Sequence, residues 1–229
     1  MIDIHSHALP CIDDGSASFE QSLDMINGAR LQGVTDMVLT PHLDKRYNLS
    51  VNQIKTVFEQ FVNDNRIVET GVNLYLGQEI YVGRSFNKVL SAGEFLTMNG
   101  TNLVLLEFDY TDEFDIAETV YQLKRKGFRS IIAHFERYSY ADISLAKEVK
   151  NLGGLIQVNS DSCINGLGVF GVKKVKDLFN ERLVDFVGSD VHSFRPSKLK
   201  KAKEIVEKKY GKVTSQAVFD NNALEIIKG

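Results

Sequence analysis

Seven short runs rich in Val, Ile and Leu alternate with longer amphipathic stretches, and this alternation constrains the fold more than any other feature of the chain. It is the pattern of parallel strands joined by covering helices. The runs span residues 2–5, 36–40, 73–77, 103–107, 130–134, 155–158 and 185–188. Helices are predicted over residues 18–32, 51–69, 85–92, 112–126, 143–152 and 172–181, then from Pro196 to 209 and over 215–227. Ser18 and Gln21 read as a capping box, and Gly33, Gly71, Gly127 and Gly153 stand just past helix ends.

With 229 residues, 43% of them hydrophobic, the chain can bury one substantial core. No linker, repeat or low-complexity segment divides it, so residues 1–229 are expected to form a single domain. The expected fold is α/β, a closed or nearly closed barrel of parallel strands with outer helices. A doubly wound open sheet gives much the same local periodicity, and only the placement of polar residues separates the two.

Lys and Arg total 27 against 30 Asp and Glu, a formal net charge of −3, and the one concentrated basic stretch is residues 198–203. That balance disfavours nucleic acid as a partner. The first residues lack a basic segment followed by an apolar one, and no apolar run approaches the roughly 18 residues of a membrane span. A soluble, cytoplasmic protein without membrane insertion is expected. Cys11 and Cys163 read as two ordinary thiols, since disulfide scaffolds are shorter and denser in cysteine.

Most predicted strands end in a residue able to bind metal, or are followed within two positions by one. His5 and His7 follow the first, His42 the second and Glu79 the third; Glu107 closes the fourth, His134 the fifth, and Asp190 and His192 follow the seventh. Asp13 and Asp14 lie on the first loop. A lone His or Asp at a strand end is more often a capping or loop residue than a ligand. Here, however, all 5 histidines fall at the carboxyl edge, where parallel strands deliver their ends to one mouth.

His5 and His7 are two apart on an extended segment, so they point to the same side and can share an ion; Asp190 and His192 repeat the spacing. Imidazole suits zinc, iron or manganese, while Asp14, Glu79, Glu107 and Asp190 add hard oxygen ligands. These groups exceed the needs of one ion, implying two or three metals with Glu79 suited to bridge a pair. Such a cluster can generate hydroxide from bound water near neutral pH and neutralise phosphoryl oxygens. Arg137 and Arg195, each three residues beyond a histidine, bring guanidinium groups that could hold phosphate in bidentate fashion.

The chain resembles the polymerase and histidinol phosphatase (PHP) superfamily, and within it the bacterial manganese-dependent protein-tyrosine phosphatases of capsular and exopolysaccharide synthesis. The resemblance runs nearly end to end. It rests on Met1-Ile2-Asp3-Ile4-His5-Ser6-His7, Asp13-Asp14-Gly15, Gln32-Gly33-Val34, Thr40-Pro41-His42, Gly77-Gln78-Glu79-Ile80 and Leu106-Glu107-Phe108. Ala133-His134-Phe135-Glu136-Arg137, Gln157-Val158-Asn159 and Gly188-Ser189-Asp190-Val191-His192 complete it.

The resemblance implies a distorted seven-stranded (β/α) barrel around a trinuclear centre, with Mn2+ as the cofactor and Fe, Zn, Co or Mg as substitutes. It implies one ion held by His5, His7, Glu79 and Asp190, a second by Glu79, Glu107 and His134, and a third by Asp14, His42 and His192. Arg137, Arg195, His42 and His192 would form the catalytic group, with the two arginines on the phosphate. The implied partner is a phosphotyrosine-bearing bacterial tyrosine kinase, which would recruit the protein to the inner face of the membrane; an oligomer is compatible with this. Phe135 stands where many relatives carry Pro, and Ala223 follows Asn222 where Asn-Pro is common, but neither departure removes a ligand.

Cysteine-dependent tyrosine phosphatases need Arg six residues after the nucleophile, whereas Ala17 follows Cys11 and Val169 follows Cys163 at that distance. Attack by metal-bound hydroxide is therefore expected. The alternatives are a small-molecule phosphatase of the histidinol phosphate type and a non-catalytic metal-binding regulatory module. Phe108, Tyr110, Phe135 and Tyr138 lie just beyond ligands and are candidates either for stacking on a phosphotyrosine ring or for the core.

Overall fold

The computed structural model describes residues 1–47, 49–83, 86–164 and 168–228. The chain forms strands β1 (Ile2–Asp3), β2 (Asp36–Leu39), β3 (His42–Leu43), β4 (Asn73–Leu76), β5 (Glu79–Tyr81), β6 (Leu103–Glu107), β7 (Arg129–Ile132), β8 (Leu155–Asn159) and β9 (Phe186–Gly188). All pair in parallel, in the orders β1-β2-β4 and β3-β5-β6-β7-β8-β9. The expected second and third strands are thus each split, β2 from β3 and β4 from β5, which gives seven staves.

Backbone bonds carry the staves across the splits: Gly77 N–H donates to Leu39 O at 2.8 Å and Glu79 N–H to Pro41 O at 3.1 Å. Gly77 sits where a Cβ would come within 2.9 Å of Met98 Sδ, 3.2 Å of Val38 and 3.3 Å of Thr40, so a larger residue there would have to displace these packed side chains. The first and last staves meet through the Ser6–Val191 bridge, with His7 N–H on Val191 O at 3.0 Å and Asp190 N–H on His5 O at 2.9 Å. The result is a distorted barrel.

Strand pleating separates two apolar layers. Val104, Leu106, Ile132, Ile156, Val158 and Val187 face out beneath the helices, while Leu103, Leu105, Ile131, Leu155 and Phe186 face in with Ile2, Ile4 and Val38. Ala223 and Ile226 from the carboxyl-terminal segment and Met98 join this inner cluster. Burying a side chain of this size contributes roughly 1.5–3 kcal/mol. Inward positions near the carboxyl ends, Glu107 on β6 and Gln157 and Asn159 on β8, are polar and buried.

The helices are α1 (Phe19–Leu31), α2 (Val51–Val62), α3 (Asn65–Val68), α4 (Phe86–Ala92), α5 (Ile116–Arg125), α6 (Ile143–Asn151), α7 (Ser160–Ile164), α8 (Gly168–Asn180), α9 (Leu199–Tyr210), α10 (Lys212–Gln216) and α11 (Leu224–Ile227). The predicted start at Ser85 lies outside the described residues. Ser18 caps α1 by accepting from Gln21 N–H, but Gln21 Oε1 returns to Ala17 N–H, one residue before the cap. The reciprocal box forms instead at Ser50 and Gln53, ahead of α2.

Helix α8 begins four residues before the predicted 172 and α9 three residues after Pro196, and three further helices differ in extent because a local polar group competes with the helix. Asp64 accepts from Arg66 N–H at 2.9 Å and begins α3, dividing the helix expected over 51–69. Asp109 accepts from Thr111 and Asp112 N–H, and Asp115 caps α5, so residues 112–115 stay outside it. Between α10 and α11, Ala217–Asn221 form a π turn in which Asn222 N–H bonds Ala217 O at 3.0 Å and Asn222 Nδ2 bonds Asp185 O at 2.8 Å. That widened turn leaves Phe219 in the outer layer and turns Ile226 into the inner one.

Candidate metal centre

The carboxyl ends of the staves bring all nine predicted ligands, His5, His7, Asp14, His42, Glu79, Glu107, His134, Asp190 and His192, into four overlapping groups. Eight of them are buried, and Asp14, with its side chain 42% exposed, marks the outer side. Local backbone makes this convergence possible at some cost. His134 and Asp190 adopt left-handed φ of 32° and 50°, a conformation costing of order 1–3 kcal/mol in a non-glycine residue. His134 N–H is held by Gln157 Oε1 at 2.9 Å, and Asp190 N–H by His5 O. Gly15 closes the first loop so tightly that a Cβ would fall 2.0 Å from His7 O.

Donor atoms face one another at spacings that a shared cation would impose. His5 Nε2 lies 3.3 Å from His7 Nε2, 3.3 Å from Glu79 Oε1 and 3.7 Å from Asp190 Oδ1. His7 Nε2 lies 3.2 Å from Glu79 Oε2. Metal–ligand bonds of roughly 2.1 Å put neighbouring ligand atoms about 3.0 to 3.4 Å apart in octahedral or tetrahedral geometry. Glu79 is central: Oε1 faces His5 and His134 (2.9 Å), while Oε2 faces His7 and His42 (3.1 Å).

The four groups are His5, His7 and Asp190; His5, Glu79 and His134; His42, Glu79 and Glu107; and His7, Asp14, His42 and His192. The first lies within one set implied by resemblance and the last contains another whole, whereas the two groups around Glu79 mix members of different sets. Glu107 Oε1 is 3.8 Å from His134 Nε2, and its Oε2 is 3.6 Å from His42 Nδ1. Asp14 Oδ1 lies 3.6 Å from His42 Nε2 and 3.7 Å from His192 Nε2.

The electrostatics suit a cation. Although buried, Asp13 and Asp190 are held down at about 2 by neighbouring histidines, His7 for the first and His5 and His134 for the second. Glu79, also buried, is kept well below the usual carboxylate range by His5 and His42. Burial keeps His42, His134 and His192 neutral, the last at about 4 with His7 adding to the effect. Burial opposes protonation of His5 and His7, yet Glu79 and Asp190 raise the first and Asp13 and Glu79 the second. Burial and the Glu79 charge lift Glu107 to about 8.

Metal binds ionised carboxylates and neutral imidazoles, so the protons held by Glu107, His5 and His7 would leave as ions enter, while Glu79, Asp190, His42, His134 and His192 already hold those forms. Glu79 Oε2 and His42 Nδ1 are buried without a hydrogen bond, a costly state that coordination would relieve. The donor set therefore fits divalent ions.

Arg137 and Arg195 reach this rim and approach the same carboxylate. Arg195 Nη2 is 2.9 Å from Asp190 Oδ1, and Arg137 Nη1 is 3.4 Å from Oδ2. Arg137 also lies over the Tyr110 ring at 4.4 Å.

A supporting layer lies behind the ligands, with roles that spacing alone does not give. Asp13 Oδ2 lies 2.7 Å from His7 Nδ1 and accepts His42 N–H at 3.0 Å. Gln157 Oε1 lies 3.1 Å from His5 Nδ1, Asn159 Nδ2 donates to Asp190 Oδ2 at 2.8 Å, and Tyr110 OH donates to Glu107 Oε1 at 3.0 Å. Gln157 and Asn159 alternate on β8, the one predicted strand without a ligand at its end, where two inward polar residues in a strand are the sequence's sign of this layer.

Of the four aromatic candidates, Phe108, Phe135 and Tyr138 are fully buried core residues, and Tyr110 is half-buried. The rings at the rim are Tyr47, parallel to His42 at 6.0 Å, and Phe194, 5.1 Å from His192. Beside Tyr47 a cavity of about 630 Å³ opens, lined in part by Leu43, Ile80, Tyr81 and Val89. Both cysteines are free; Cys163 is buried and Cys11 exposed.

Comparison with known proteins follows the same lines. The family described as capsular polysaccharide synthesis, CpsB/CapC, matches residues 1–228. The tyrosine-protein phosphatase CpsB of Streptococcus agalactiae serotype V is 30% identical over 241 aligned positions, covering 100% of this chain and 98% of that protein. The tyrosine-protein phosphatase YwqE of Bacillus subtilis is 29% identical, covering 98% and 91%. A solved chain from the pair YwqE of Bacillus subtilis and CpsB of Streptococcus pneumoniae, described as metal-dependent tyrosine phosphatases, superposes with a TM-score of 0.86. It is 26% identical and covers 99% of this chain and 94% of that one.

Proposed function

The chain belongs to the capsular polysaccharide synthesis CpsB/CapC family and is a metal-dependent tyrosine-protein phosphatase with the PHP-like fold; from that premise we propose how its own residues divide the work. The proposed ligands are His5, His7, Glu79 and Asp190 for one ion, Glu79, Glu107 and His134 for a second, and Asp14, His42 and His192 for a third. The observation that supports Glu79 as a bridge between ions is its position, its two oxygens each facing two histidines within 3.3 Å. Residues 1–229 are taken as one catalytic unit, with Mn2+ as the resident metal.

Divalent ions, once bound, would neutralise phosphoryl oxygens and make a coordinated water acidic enough to attack near neutral pH. Arg137 and Arg195 draw the phosphate dianion to the rim and orient its free oxygens with their planar donors. Neutral His42 and His192, with Asp14 on the outer side, shape the part of the site nearest solvent. Asp13, Gln157 and Asn159 keep the His7, His5 and Asp190 side chains aimed inward.

The proposed substrate is the phosphotyrosine of a bacterial tyrosine kinase of capsule or exopolysaccharide synthesis. Among the described residues, no helix is long and apolar enough to cross a membrane. Any approach to the inner face of the membrane is therefore assigned to contact with the kinase. Chelation followed by addition of Mn2+, Fe2+, Zn2+, Co2+ or Mg2+ in turn, with phosphate release from a phosphotyrosyl peptide and from histidinol phosphate as paired readouts, tests the assignment. Mn2+-restored release from the peptide is expected. Preference for histidinol phosphate would overturn the substrate, and release that no metal restores would overturn the site.

A further inference from the structure

Among the described residues, five large apolar side chains stand exposed: Leu31, Val68, Tyr121, Phe194 and Val213. Four belong to helices α1, α3, α5 and α10. Phe194 alone lies at the metal centre, 71% exposed between His192 and Arg195. Its mounting is rigid. His192 N–H bonds Arg195 O at 3.2 Å, Arg195 N–H returns to His192 O at 2.9 Å, and the intervening Ser193 N–H bonds Gly15 O at 3.0 Å. A two-residue turn closed by reciprocal bonds fixes Phe194 Cα relative to the ligand before it and the guanidinium after it.

An apolar ring held in water beside buried charges loses nothing by being covered and gains roughly in proportion to the area removed from solvent. Tyr47 offers a second ring on the His42 side, stacked within 8° of the imidazole plane. His42 and His192 both point Nε2 at Asp14 Oδ1, so the two rings border the outermost donor group from its two histidines.

We propose that Phe194, with Tyr47, forms the wall that receives the aryl ring of the substrate, so that these residues set the preference of this site for aryl over alkyl phosphomonoesters. This rests on the phosphatase assignment above. The charged groups hold the phosphoryl end whatever is attached to it. Phe194 and Tyr47 are placed to meet what is attached, Tyr47 from its seat on His42.

Phenylphosphonate and methylphosphonate present the same anionic head with and without a ring, and their dissociation constants can be measured by calorimetry on Mn2+-loaded protein. Phe194→Ala is expected to weaken phenylphosphonate about fivefold to tenfold while leaving methylphosphonate within about twofold, and Phe194→Tyr to keep wild-type values for both. Tyr47→Ala should shift the same ratio in the same direction. An unchanged ratio in Phe194→Ala would overturn the proposal, as would parallel weakening of both phosphonates, which reports a disturbed His192–Arg195 turn. Wild-type protein that binds neither phosphonate would instead overturn the phosphatase site on which the inference rests.

Discussion

Asp13 and His7 form the shortest ion-pair contact of the metal centre, 2.7 Å between Oδ2 and Nδ1, on the ring nitrogen facing away from Glu79. The same oxygen accepts His42 N–H, so one carboxylate fixes two histidines from different staves. A carboxylate on the far nitrogen sets the tautomer and raises the basicity of the nitrogen turned to the metal; loss of such a partner typically lowers metal affinity 10- to 100-fold. Asp13→Asn is therefore expected to weaken Mn2+ binding by about that factor, measured by competition with a fluorescent chelator. Affinity within about twofold of wild type would show that His7 needs no support from Asp13.

Arg137 and Arg195 share Asp190, one at each oxygen, and are the only guanidinium groups paired with a predicted ligand among the described residues. Removing one donor aimed at developing charge commonly costs about 10²- to 10³-fold in rate. Arg195→Ala and Arg137→Ala should each lower kcat/KM on a phosphotyrosyl peptide by about that much, with metal content unchanged by elemental analysis. Lysine should restore little, because a point charge cannot reproduce the planar fork. The double variant should lose less than the product of the single losses, since both groups act on one site. Wild-type kcat/KM in Arg195→Ala would remove that residue from phosphate binding.

The strands and the nine convergent side chains were legible because both follow from local rules: apolar runs alternate with amphipathic ones, and parallel strands present their carboxyl ends together. The supporting layer depends on orientation, which spacing does not encode. Asp13 and Asp14 are adjacent and chemically identical, yet the tight turn at Gly15 sends one to His7 and leaves the other facing His42 and His192. Phe108 follows the inward Glu107, so the pleat turns it out into the helix layer and away from any substrate. The splits at residues 40–41 and 77–78 arise from which neighbour each half-stave pairs with, a long-range choice absent from a local run of Val and Leu.

Glu107 links the metal centre to pH. Burial and Glu79 raise its carboxyl to about 8 in the metal-free protein, well above an ordinary carboxyl group. A group raised on folding stabilises the folded chain fully below its unfolded pKa, and that contribution is lost as pH rises through the folded value. Metal-free wild type should therefore lose stability relative to Glu107→Gln as pH rises from about 5 to about 8, by at most ~1.4 kcal/mol per pH unit. Metal binding displaces the same proton, so Mn2+ affinity should climb over that window in wild type and more gently in the variant. Parallel thermal-melt profiles of the two chelated proteins across the window would contradict the assignment.

The two cysteines supply a test of what attacks phosphorus. Burial pushes the Cys163 thiol far above the ordinary range, so it remains protonated and unreactive, and no Arg stands six residues beyond either cysteine to cradle a phosphoryl group. The Cys11 sulfur donates to Ala17 O at 3.2 Å and is exposed. Iodoacetamide should modify Cys11 but spare Cys163 in the native, metal-loaded protein, as read by peptide mass spectrometry, and modification should leave turnover largely intact. The Cys11→Ala, Cys163→Ala double variant should keep most of its activity, its stability falling by on the order of 1 kcal/mol for the small cavity at Cys163. Loss of all turnover in that variant with its metals still bound would demand a covalent cysteine intermediate, and the roles assigned to Glu79, Arg137 and Arg195 would then have to be redrawn around it.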